Sequence, residues 1–217
     1  MPRVGYLGSC PLSGFSRVSE EVEFRGSLVT AGRATIRDPS GATFERDLVH
    51  HPGAVVVVPV VDDGRSVLMV RQYRAAIDRV LLEIPAGRRD VAGEAVELTA
   101  RRELIEEVGM EAGRLEKLAE FFNSPGFCDE HSWLFLATDL TPCPGLEGGS
   151  PQGIEEEHMT VEVVAFDAVP AMIAGGLLID AKTILGLALA RYAVDRQVLD
   201  RHAPDRQTRD PGASGSS

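Results

Sequence analysis

The stretch from Pro85 to Met110, PAGRRDVAGEAVELTARRELIEEVGM, constrains this chain more than any other. Its last third sets Glu103, Glu106 and Glu107 on a helical repeat and then stops at Gly109, which suits the residue just past a helix end. At about 100° per residue the three glutamates share one sector, while Leu98, Leu104, Ile105 and Val108 fill roughly the opposite one. Like charges at i,i+3 and i,i+4 repel, and these lie near the helix C-terminus, where the macrodipole disfavours carboxylates. In isolation such a pattern reads as a solvated acidic face. A bound divalent cation would remove both objections, and hard oxygen donors of this kind suit magnesium or manganese.

With 217 residues, 44% hydrophobic and 25% charged, the chain has material for one ordinary core or one core with a small appended unit. Its net charge of −11 disfavours a nonspecific grip on nucleic acid, and an anionic substrate would need local positive charge or metal. No apolar run approaches a membrane span, and the first residues lack the apolar core of a signal peptide. Cys10, Cys128 and Cys143 form no CxxC pair, so a reduced, cytoplasmic protein is expected.

The chain divides into a loosely structured Gly/Ser/Pro-containing segment (1–21), a small β segment (22–50), a main domain (51–195) and a disordered polar tail (196–217). Asp38-Pro39-Ser40-Gly41 turns residues 22–50 into an antiparallel meander too small to bury a core alone, so it must pack on the main domain or on a second copy. Residues 54–61 read as a buried strand in which Pro59 marks an edge or bulge, and residues 66–73 pair back across Asp62-Asp63-Gly64. Short strands follow at 81–85, 115–123, 132–138 and 159–166. A helix is expected from about Ala95 to Gly109, a short one at 168–174, and an amphipathic one at 180–192 that packs through Ile184, Leu185, Leu187, Leu189 and Tyr192. Residues 140–157, ending in three glutamates, form a long mobile loop of the kind that is usually functional.

Glu94-x7-Arg102-Glu103-Leu104-x-Glu106-Glu107-x-Gly109-Met110 resembles the second part of the Nudix hydrolase box, G-x5-E-x7-R-E-U-x-E-E-x-G-U, where U is bulky and apolar. One departure stands out. The box glycine is expected at position 88, which is arginine; Gly87 comes one residue earlier, so the loop to Glu94 holds one extra residue. Pro125 about fifteen residues past the box, the Pro85-Ala86-Gly87 lead-in, the Arg71 to Ala75 stretch and Ile-Asp-Ala-Lys-Thr before the last helix are similar to the ADP-ribose pyrophosphatase subgroup.

The resemblance implies an α+β fold: an α/β/α sandwich around a mixed sheet, with the N-terminal antiparallel β segment exchanged between the subunits of a homodimer. It implies a Mg2+-dependent (or Mn2+-dependent) hydrolysis of ADP-ribose, a small-molecule substrate, to AMP and ribose 5-phosphate; the charge and the lack of an apolar span leave neither nucleic acid nor membrane as an expected partner. Glu103 and Glu107 would bind metal directly, Glu106 would join a further ion, and the Ala86 carbonyl would complete a site. Gly87, Glu94, Arg102 and Gly109 would be mainly structural, with a contact to metal through water as a second role for Glu94 and phosphate binding as the lesser alternative for Arg102. Metal-bound carboxylates are poor proton acceptors, so the catalytic base is expected from the late acidic loop: Glu155 aligns best, Glu157 is the runner-up, and Glu156 lies between. Arg71 and Arg74 are candidates for the phosphates, Arg74 the better one. Pro125, Glu130 and Glu83 would border the substrate, and Phe24 or Tyr73 could stack on a base, although such aromatics are more often core. The box selects a diphosphate and not what is attached to it. The alternatives are therefore another nucleoside diphosphate derivative (a nucleotide sugar or dinucleotide), or a non-catalytic ADP-ribose-binding module, which the retained glutamates argue against.

Overall fold

The valine run that opens the main domain fixes its architecture, because a strand apolar on both faces must lie between two layers. The computed structural model describes residues 14–146 and 158–202, with side chains through Arg196. In it, β4 (Ala54–Val61) has Val55 and Val57 on one face and Val56, Val58 and Val60 on the other, all buried. Val55 and Val57 join Leu68, Val70, Phe135, Ala100, Leu104 and Val108 beneath α1 (Val96–Val108). Val56, Val58 and Val60 join Met69, Ile84, Leu134, Leu187 and Ala190 beneath α3 (Ala181–His202). The layers are helix, sheet, helix, as expected.

The sheet has seven strands in the order β10-β5-β4-β9-β8, with β6 (Arg79–Glu83) on β5 and β7 (Ala86–Arg88) on β4. β5 spans Ser66–Arg74, β8 Met110–Phe122, β9 His131–Pro142 and β10 Thr160–Ala165. β4 runs parallel to β9 and antiparallel to β5 and β7, so the sheet is mixed. The edge role expected of Pro59 is corrected here: β4 is central. On its antiparallel side the β7 ladder ends at Val56 and the β5 ladder begins at Val60, and Pro59 falls in the gap between them. A missing N–H costs least where no ladder asks for one.

The N-terminal segment is a three-stranded antiparallel sheet, β1 (Ser16–Arg25), β2 (Thr30–Arg37) and β3 (Thr43–His50). It begins six residues earlier than its sequence suggests, since Ser16 to Glu21 pair with Arg37 to Arg33. The Val49 N–H donates to the Phe127 carbonyl (2.7 Å) and the Asp129 N–H to the Val49 carbonyl (3.1 Å), which docks β3 on the loop between β8 and β9. His50 reinforces this contact: Nδ1 lies 2.5 Å from Asp129 and Nε2 2.5 Å from Glu20.

Two helical faces differ from the apolar periodicity. In α3, Leu185 and Tyr192 are exposed, and the helix packs through Thr183, Leu187, Ala190, Ala193 and Val194. Small residues let the helix approach closely, and a Cβ on Gly186 would stand 2.4 Å from the Ile84 side chain. In α1, Leu98 is 58% exposed while Glu103 and Glu107 are buried. That inversion makes the site. The short helix α2 covers Val169–Ala174, and α3 continues to His202, past the expected boundary at 195.

Candidate active site

The strand-to-helix crossing after β6 builds one wall of a cleft. β7 lies against β4, with Val56 opposite Ala86 and Val55 opposite Gly87. The chain then loops out and returns as α1, which ends at Gly109 with φ +67° and its N–H on the Ile105 carbonyl at 2.9 Å. The helix seats Leu104 and Val108 in the core beside Glu103 and Glu107, so both carboxylates are pressed against β7. The Glu107 carboxylate accepts the Ala86 N–H at 2.9 Å. Glu103 lies so close over Gly87 that a Cβ there would stand 1.8 Å from its carboxyl carbon. Gly87 thus provides the space in which Glu103 sits.

Burial pushes the Glu103 carboxyl up to about 7, with Arg102 opposing the shift and Glu106 and Asp90 adding to it. Arg102 donates to Glu103 at 2.7 Å and to Glu106 at 2.9 Å through one nitrogen, and to Asp90 at 3.2 Å and Glu94 at 3.4 Å through another. Glu94 also accepts the Thr99 hydroxyl at 2.8 Å. These bonds tie the loop to the helix.

The opposite wall carries cations. Arg74, at the end of β5, forks onto Glu83 at 2.8 and 2.7 Å. Glu83 is 1% exposed and also bonds Lys182, near the start of α3. Burial alone would raise Glu83, but Arg74 and Lys182 outweigh it and hold the carboxyl below the usual carboxylate range. Asp180 lies 3.0 Å from Lys182 and accepts the Thr183 N–H at 2.9 Å, capping α3.

Between these walls is a cleft of about 840 Å3, also reached by Ser27, Leu28 and Val29 of the β1–β2 turn and by His51, Gln72, Asn123 and Glu130. Its lining brings together Ala86, Gly87, Arg102, Glu103, Glu106, Glu107, Arg74 and Glu130 of the expected site. Glu83 stands behind Arg74. Arg71 is not among the lining residues: it pairs with Glu162 across the β5–β10 ladder at 2.5 and 3.1 Å. Pro125 borders a separate groove with Leu48, Phe122 and Phe127. Phe24 is 56% exposed, and the Tyr73 hydroxyl donates to Asp78. Glu155, Glu156 and Glu157 lie outside the described residues. Sequence reasoning missed the β1–β2 turn, His51, Gln72 and Asn123, which distant pairing brings in, and Lys182, whose signal was the Ile-Asp-Ala-Lys-Thr stretch.

Six carboxylates and four cationic side chains line the cleft, so an anionic ligand would meet net negative charge. Among the described residues no three acidic, histidine or cysteine side chains converge as a ready metal cage; Arg102 holds Glu103 and Glu106 instead. The donors nonetheless fit a hard divalent ion: they are all oxygens, and Glu103 is buried among like charges that a cation would relieve.

A NUDIX domain matches residues 50–184. The chain is 37% identical over 166 residues to an ADP-ribose pyrophosphatase of Bacillus subtilis (strain 168), covering 76% of this chain and 86% of the relative. It is 38% identical over 181 residues to an ADP-ribose pyrophosphatase of Mycobacterium tuberculosis (strain ATCC 25618 / H37Rv), covering 83% and 84%. A crystal structure of an ADP compounds hydrolase superposes with a TM-score of 0.73 at 24% identity, covering 87% of this chain and 98% of that one.

Proposed function

The chain belongs to the Nudix family, and from that premise we propose that it hydrolyses the pyrophosphate bond of ADP-ribose to AMP and ribose 5-phosphate. The observation that carries this reading is the pair of unlike walls in one cleft: a buried acidic helix face with Ala86 and Gly87 on one side, and Arg74 on the other. Two relatives alike over most of their length and named ADP-ribose pyrophosphatases support the choice of substrate.

Glu103, Glu106, Glu107 and the Ala86 carbonyl would hold magnesium, with manganese as a substitute. When bound, such an ion neutralises phosphoryl oxygens and lowers the pKa of bound water. Arg74 has donors left beyond the two it gives to Glu83, and these orient the diphosphate. Glu130 borders the part of the substrate beyond the phosphates. Glu155 accepts the proton of the attacking water, with Glu157 as the alternative. The role of Arg71 is to hold β5 to β10 through Glu162.

The protein works as a cytoplasmic homodimer with an exchanged N-terminal sheet. Val18, Val22 and Phe24 on the exposed surface of β1 support this, being apolar and open to a second copy. Among the described residues no helix is long and apolar enough to cross a membrane, and the charge of −11 speaks against nucleic acid. Incubation with ADP-ribose and Mg2+ should release AMP and ribose 5-phosphate in equal amounts; absence of turnover refutes the assignment. Removal of residues 1–50 should yield an inactive monomer, and an active monomer refutes the exchange.

A further inference from the structure

The loop from Gly87 to Glu94 is one residue longer than the box motif, and Arg89 occupies the added length in a specific way. β7 ends at Arg88, but the Arg89 N–H still reaches the Gly53 carbonyl at 3.1 Å. Its side chain then lies over Trp133 of β9, with the guanidinium carbon 4.7 Å from the ring centroid. From there Nη2 donates to the Glu94 carbonyl at 3.2 Å, closing the loop across five residues. Arg89 Nε is buried with no hydrogen-bond partner among the described residues, so the stack and the bond to Glu94 hold this side chain.

Trp133 has little freedom to yield. Its backbone pairs with Val55, and its ring edge lies against Gly53, where a Cβ would come within 2.9 Å. His131 packs on it at 4.1 Å, and Phe122 stacks on His131 at 4.8 Å. An aromatic column therefore backs the loop. On the other side, the Glu94 carboxylate contacts Arg102, which holds Glu103 and Glu106.

We infer that Arg89 and Trp133 are positioning residues for the acidic wall: Arg89, stacked on Trp133, fixes Glu94, which sets Arg102 and through it Glu103 and Glu106. The inference rests on the metal-binding reading of that wall. Arg102 is the direct partner of Glu103 and Glu106, the kind of contact whose loss costs metal affinity about 10–100-fold, and Arg89 and Trp133 act on it through Glu94. It also makes the indole a sensor. A cation drawing on Glu103 and Glu106 would weaken the bonds that Arg102 gives to one oxygen of each, and Glu94 and Arg89 would carry that change to Trp133, the sole tryptophan of the chain.

The test titrates Mg2+ into the full-length protein without substrate while following indole emission, and measures separately the Mg2+ dependence of ADP-ribose turnover. Wild type, Arg89→Met, Arg89→Lys, Trp133→Phe and Trp133→Leu are compared for turnover, and the variants that keep Trp133 are compared for emission. The expected result is a saturable emission change in wild type. Arg89→Met and Trp133→Leu should raise the half-saturating Mg2+ by about threefold or more, a share of the about 10–100-fold expected for a direct partner such as Arg102, with the KM for ADP-ribose at saturating Mg2+ unchanged. Trp133→Phe, which keeps a ring under the guanidinium, should retain most of the affinity, and Arg89→Lys should fall between. Wild-type Mg2+ dependence in Arg89→Met, even with a lowered melting temperature, overturns the inference; so does an indole blind to Mg2+ while turnover saturates. A wild type that does not cleave ADP-ribose removes the proposed substrate instead, and the emission midpoints of wild type and Arg89→Met then decide the positioning role alone.

Discussion

Gly87→Ala should separate activity from stability. A methyl at this position would stand 1.8 Å from the Glu103 carboxyl carbon and 2.0 Å from one of its oxygens, far inside contact distance. The obstructing atoms are the end of a rotatable side chain, so the fold can yield by swinging Glu103 off β7. Overpacking costs about 1–3 kcal/mol, and movement of one side chain belongs at the low end. At about 2–4 °C per kcal/mol for a chain of this size, the melting temperature falls by only a few degrees. The rate should fall much further, by about 100-fold or more, because disturbing only the partners of metal ligands already costs about 10–100-fold and here a proposed ligand itself is displaced. Once swung out, Glu103 also loses the burial that pushes its carboxyl up to about 7. The assay is a cycle of Gly87→Ala, Glu103→Ala and the double variant, read by melting temperature and turnover. With Glu103 truncated the methyl has room, and Gly→Ala then stabilises by about 0.4–1 kcal/mol through the unfolded chain, so the shift changes sign. An equal loss of stability in both backgrounds, or wild-type turnover in Gly87→Ala, refutes the steric argument.

Three further outcomes are expected. His50 is raised by Asp129 and then Glu20 against a smaller opposing effect of burial, so its contribution to stability is complete below its unfolded pKa of about 6.5 and is lost as pH rises through the higher folded value. Glu20, lowered chiefly by His50, and Asp129, where His50 and the His51 N–H outweigh burial, lose theirs as pH falls through their depressed values; melting curves against pH should show an alkaline decline that His50→Gln abolishes, and an identical decline in that variant would refute the latch. Glu83→Ala leaves Arg74 and Lys182 facing each other without their shared carboxylate and should cost about 3–5 kcal/mol in denaturant unfolding, whereas a cost below about 1 kcal/mol would mean the cluster is solvated. Glu155→Gln should depress kcat while titration still finds Mg2+ and ADP-ribose bound, and an unchanged kcat transfers the role to Glu157.

The limits of α1 were readable because local rules set them: an apolar repeat, then a glycine that takes positive φ. The sandwich was readable from β4, since eight nearly continuous apolar residues need cover on both faces. Burial of Glu103 and Glu107 was not, because periodicity equates charge with exposure, and here β7 comes close enough to bury two carboxylates while Leu98 faces solvent. Arg71 and Arg74 could have been separated on parity alone. They are three apart on one strand and face opposite ways, with Arg74 on the side of Gln72 in the cleft and Arg71 on Glu162. Nothing local marks Ser27 to Val29 or His51 as cleft residues, since distant chain pairing brings them there. The added loop residue stood out only as a departure from the motif; Trp133, which receives it, lies some forty residues later.

The most direct test of the central claim is turnover of ADP-ribose by Glu107→Gln at saturating Mg2+, with the fold verified by its melting temperature. The amide that replaces the carboxylate can still accept the Ala86 N–H through its oxygen, so β7 and α1 stay joined while the charge is gone. The expected result is a folded protein whose kcat has fallen by about 100-fold or more together with its Mg2+ affinity. A folded Glu107→Gln protein with wild-type turnover would contradict the claim that this acidic wall holds the metal.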